Sequence, residues 1–85
     1  MSVIIDVRPL SEIAREIRAD WKRVYFGAVP YLDAMACLDK IDDMYGYDTG
    51  KSIVTYFLVN AGTWKGREAV RIKIELRKMA GIKTR

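Results

Sequence analysis

Histidine is missing from this chain, cysteine occurs once, at Cys37, and proline twice, at Pro9 and Pro30. Without histidine the chain cannot assemble a Ser/His/Asp or Cys/His nucleophilic site, and the commonest general base is gone. One cysteine cannot close an internal disulfide, nor supply the roughly four Cys or His ligands of a structural zinc site. Such thiol usage suits a reducing cytosol. The longest apolar segment, Ile53 to Ala61, is far shorter than the roughly 20 residues that cross a bilayer. Met1-Ser2-Val3-Ile4-Ile5-Asp6 lacks the basic region and the apolar run of a secretory leader. Neither export nor membrane insertion is expected.

What is present describes one small folded domain. The 85 residues are 51% hydrophobic and 31% charged, too apolar for a disordered tail and too broken by charge for a membrane protein. The net charge of +4 is unevenly distributed. Residues 1–28 sum to +1, residues 29–48 to −4 through Asp33, Asp39, Asp42, Asp43 and Asp48, and the last 23 residues to +6. The chain is an electrical dipole along its sequence, whose ends are suited to charged partners or to each other.

Hydrophobic spacing predicts four helices. Leu10, Ile13, Ala14, Ile17, Trp21 and Val24 mark one face of the first, with Ser11 as N-cap and Gly27 at its end. Pro30 suits the first residue of a second helix, expected to run to about Met44, with Asp39 and Asp43 on its outer face and Gly46 ending it. Asp48 caps a third, in which Ile53, Val54, Phe57, Leu58 and Ala61 follow helical spacing. A fourth is expected from Trp64 to Met79, with Thr63 as N-cap and Gly81 just beyond. Its alternation of Val70, Ile72, Ile74 and Leu76 with charge also suits a strand, but its length favours a helix. The expected fold is mainly α: a compact four-helix bundle (9–81), preceded by a short extended N-terminal arm (1–8) and followed by a basic C-terminal tail (82–85).

Several motifs suggest chemistry, and each has a plainer structural reading. Gly50-Lys51-Ser52 resembles the end of a phosphate-binding loop, but Tyr45 occupies the place of its first glycine, so a helix cap explains it better. Asp39, Asp42, Asp43 and Asp48 lack the alternating ligand spacing of a calcium loop and read as a solvated acidic helix end with a partner, the basic fourth helix being one candidate. Neither a metal nor a cofactor is expected, and no residue set supplies an acid, a base and an electrophile together.

The fourth helix carries a stripe of Arg67, Arg71 and Lys78 with Lys73 and Arg77 beside it, an unspecific phosphate-binding signal. Reading the turn at Gly62 as a helix-turn-helix would put Thr63, Glu68 and Arg71 where apolar residues belong. Val70 and Ile74 form an apolar pair on this basic side, and exposed apolar residues flanked by arginine resemble interface anchors. The aromatic residues interleaved with cations in Trp21-Lys22-Arg23-Val24-Tyr25-Phe26 suit stacking on unpaired bases, but in so small a chain most rings are expected in the core.

Ile13-Ala14-Arg15-Glu16-Ile17, Asp20-Trp21, Ala28-Val29-Pro30-Tyr31-Leu32-Asp33-Ala34-Met35, Tyr45-Gly46 and Tyr56-Phe57-Leu58-Val59-Asn60-Ala61 before Trp64 resemble small uncharacterised proteins of bacteriophages and mobile elements. The resemblance spans residues 11 to about 79. It implies a setting in the cytoplasm of a bacterial host and a role such as inhibition of a host defence enzyme, for example a CRISPR nuclease. The expected function is a non-enzymatic protein-interaction module presenting Arg67, Val70, Arg71, Ile74, Arg77 and Lys78, or the acidic Asp39 and Asp43, to a host or phage protein. Nucleic-acid binding through the same basic helix is the alternative.

Overall fold

The computed structural model describes residues 8–82. Residues 1–7 of the expected extended arm (1–8) and residues 83–85 of the expected basic tail (82–85) lie outside the described residues. The chain is mainly helical: α1 (Leu10–Asp20), α2 (Val29–Met35), α3 (Gly50–Val59) and α4 (Arg67–Ala80), with a two-stranded antiparallel sheet of β1 (Met44–Tyr45) and β2 (Asp48–Thr49) between α2 and α3. α1 packs against α2 and α4, and α3 packs against the same two. No helix among the described residues is long and apolar enough to cross a membrane.

The four apolar stripes meet in one core. Leu10, Ile13 and Ile17 of α1, Leu32 and Met35 of α2, Val54 and Phe57 of α3, and Ile72 and Leu76 of α4 are all buried. Burying each such side chain is favourable by about 1.5–3 kcal/mol. Trp21 and Trp64 lie with ring centroids 5.7 Å apart and nearly parallel, and Phe57 meets both edge-on at 6.2 and 6.4 Å. Trp64 Nε1 donates to Asp20 Oδ2 at 2.8 Å, so the indole N–H is satisfied.

The helices are shorter than their apolar patterns. α1 ends at Asp20 rather than at Gly27, because Trp21 turns to extended backbone and carries its ring into the tryptophan stack. Its N-cap is Pro9, not Ser11, and the cap carries no side-chain bond. Backbone carbonyls of a distant loop do that work instead: Leu10 N–H donates to Asp39 O at 2.9 Å and Ser11 N–H to Leu38 O at 2.8 Å.

The same bonds explain why α2 stops at Met35 and does not reach Met44. The carbonyls of Leu38 and Asp39 are committed to α1, and Asp43 Oδ2 accepts from the N–H groups of Asp39 (3.1 Å) and Lys40 (2.9 Å). A side chain bonding nearby backbone in this way competes with helix. Asp39 and Asp43 therefore lie on a loop, not on the outer face of a helix.

Gly46 turns a hairpin rather than ending a helix. Met44 pairs with Thr49 and Tyr45 with Asp48, around Gly46 at φ +64°. A positive φ at the first central residue and not at the second fits a type II′ turn. Thr49, not Asp48, caps α3 by accepting the Ser52 N–H at 3.1 Å on its Oγ1. Gly66, at φ +111°, sets the start of α4, so Trp64 precedes the helix and Thr63 does not cap it. Gly81 ends α4 in left-handed conformation, with Ile82 N–H bonded to Arg77 O and Gly81 N–H to Lys78 O, the Schellman arrangement.

Candidate protein-binding face on α4

At 100° per residue, Arg67, Arg71, Ile74 and Lys78 fall on one side of α4, with Val70 and Arg77 beside them and Ala69, Ile72, Leu76 and Ala80 opposite in the core. The two apolar side chains of this face stay open: Val70 is 59% and Ile74 41% exposed. Burying the remainder of two such side chains against a partner would be favourable by roughly 25 cal/mol per Å² of apolar area.

The cations divide into two groups. Arg71 is held by carboxylates, pairing with Glu68 at 2.5 Å on its own helix and with Glu16 of α1. These hydrogen bonds, Glu68's first, stabilise its charged form. Arg67, Arg77 and Lys78 have no carboxylate partner among the described residues. The expected basic stripe is therefore only in part free of carboxylate partners, because the exposed Arg71 is already paired. Lys73 turns away from it: its Nζ donates to Trp64 O at 2.7 Å and lies 5.8 Å from the centroid of the Trp64 ring. Burial, then the cations Lys65 and Arg77, push its pKa down.

The acidic side chains form no counterpart to this face. Among the described residues no ion pair joins Asp39, Asp42, Asp43 or Asp48 to α4. Asp43 serves the backbone of its own loop, and its bonds from the Lys40 and Asp39 N–H groups hold its carboxyl below the usual carboxylate range. Asp33 is engaged too, paired with Arg18 of α1. Asp39 is exposed, and with Pro9, Lys40, Ile41 and Asp42 it lines an open groove of about 500 Å³. The four aspartates form no cluster with metal-ligand geometry among the described residues.

Sequence reasoning assigned most rings to the core, and the structure corrects this for five of them. Tyr25, Phe26, Tyr45, Tyr47 and Tyr56 are exposed, Phe26 by 79% and Tyr47 completely. One signal for the first two was present in the sequence. Residues 21–32 contain Lys22 and Arg23 and no carboxylate, unlike any other stretch of the first half of similar length. No protein-family model, no curated protein and no solved structure matches the chain, so function is read from the geometry of its own surfaces.

Proposed function

We propose that the chain is a non-enzymatic protein-binding module, a compact four-helix bundle that docks on a host or phage protein in the bacterial cytoplasm through α4. Val70 and Ile74 anchor the contact, and Arg67, Arg77 and Lys78 rim it. One observation carries this reading: two large apolar side chains stay exposed on a helix whose opposite face is fully used, on the same side as Arg67, Arg77 and Lys78, which pair with no carboxylate among the described residues. Apolar centres with arginine at hand are what energetically dominant interface residues look like. A defence nuclease of the host is the partner class that suits a small phage-type protein, with the acidic Asp39 loop a second, weaker candidate surface.

Duplex binding by the same helix is the lesser reading, because Arg71, the middle cation of the stripe, is already paired with Glu68 and Glu16. Affinity capture with the full chain from nuclease-treated bacterial lysate separates the two. A stoichiometric protein partner retained after nuclease treatment is the expected result. Capture that disappears with the nucleic acid, together with duplex affinity that falls steeply with salt, would favour the alternative.

A further inference from the structure

A second surface shares no residue with the α4 face. Phe26 is 79% exposed and rests against Tyr25, itself 43% exposed, with ring centroids 4.8 Å apart. Neither ring belongs to the core cluster. Beside Tyr25 is a recess of about 290 Å³ lined by Val59, Asn60, Gly62 and Thr63. Gly27 permits this closeness: a Cβ there would lie 2.5 Å from Tyr25 Cε2 and 2.8 Å from Asn60 Oδ1. The Asn60 amide is oriented, since its Nδ2 donates to Tyr56 O at 2.9 Å, and Tyr56 in turn stacks on Tyr31 at 5.6 Å.

We propose that Phe26, Tyr25 and the recess at Asn60 form a stacking site for unpaired bases of a single-stranded nucleic acid. A base in such a complex needs an open aromatic face, a polar group for its edge and a cation for its phosphate. All three are here. Phe26 and Tyr25 offer the ring faces, Asn60 and Thr63 the amide and hydroxyl, and the exposed Lys22, Arg23 and Lys65 the charge. Residues 21–32 and 49–66 hold no carboxylate, and those three cations have no ion-pair partner among the described residues. The charge thus selects an anionic partner and the rings select a flat one. A duplex, whose base faces are already stacked, offers nothing to Phe26. An acidic peptide is disfavoured because it would use the cations alone and, unlike a base, would bring no flat ring to stack on Phe26 and Tyr25.

Fluorescence anisotropy of the full chain with short labelled DNA and RNA strands tests this, with the matched duplex and polyglutamate as competitors. The single strands should bind more tightly than the duplex, with log affinity falling against log salt at a slope of about −2 if all three cations meet phosphate. Phe26→Ala should weaken binding about tenfold, and Lys22→Glu should flatten the salt slope. Because Phe26 is exposed, its alanine variant keeps the fold, which circular dichroism checks directly. Val70→Ser with Ile74→Ser should leave strand affinity unchanged, so failure here and failure of the α4 interface are separable. Equal or tighter duplex binding, displacement of the strand by polyglutamate, unchanged affinity in Phe26→Ala, or no strand binding even at low salt would overturn the proposal.

Discussion

Gly50 and Gly62 are the same residue in opposite circumstances. A Cβ on Gly50 would stand 2.6 Å from Ile41 O and 2.9 Å from Lys40 O, both backbone atoms of the loop that feeds the hairpin. Gly50→Ala should therefore cost about 1–3 kcal/mol in urea denaturation, since that loop has to shift. Gly62 has open space around it and no positive φ, so Gly62→Ala should be neutral or stabilising by up to about 1 kcal/mol through the unfolded chain. Single carboxylates are equally distinct. Asp43 is held low by the N–H groups of Lys40 and Asp39, and Glu16 by Arg8 and then Arg71. A carboxyl group with a depressed folded pKa adds stability that is present above its unfolded pKa and lost as pH falls through the folded one. Denaturant stability should thus decline from about pH 4.5 downward, and Asp43→Asn, which cannot titrate, should show a shallower decline.

Among the elements, the helix caps separate what pattern reveals from what it hides. Thr49 Oγ1 receives the Ser52 N–H, and Thr49→Ala should cost about 1 kcal/mol. Ser11 looks like a cap but is not one, because its N–H is bonded to Leu38 O. Ser11→Ala should stay within about 0.5 kcal/mol of the parent; thermal denaturation of the two variants side by side distinguishes the caps. The four helices were legible because their buried residues recur at helical spacing. The end of α2 was not, because Ile41 and Tyr45 prolong the apolar spacing after the chain has left the helix, and the bonds that end it reach from α1. Two-residue strands carry too little alternation to be seen. The α4 face was legible, since the helical wheel sets Val70 and Ile74 away from the core. The segment 21–26 was noticed for its rings and cations but assigned mostly to the core, because a count of aromatic residues does not say which of them the core has room for.

The whole molecule is tied across α1 and α4 by Arg8. Its guanidinium forks onto Glu75, with Nε to Oε2 at 3.0 Å and Nη2 to Oε1 at 2.7 Å, and also reaches Glu16 at 2.7 Å, which in turn meets Arg71. Charge-assisted, two-pronged bonds of this kind are the strong ones. Arg8→Ala should lower stability by about 1–3 kcal/mol, and by less at high salt, because the group keeps part of its surface in water. This network uses carboxylates on the side of α4 that faces α1 and leaves the outer face cationic and apolar. The absence of histidine and the charge imbalance of the sequence are the grounds on which we propose that the molecule binds a partner. The most direct test of that account measures the Val70→Ser/Ile74→Ser variant twice, for thermal stability and for retention of the partner captured by the parent chain. The account predicts a melting temperature within a few degrees of the parent and a partner lost. A variant that unfolds, or one that keeps its partner, would contradict it.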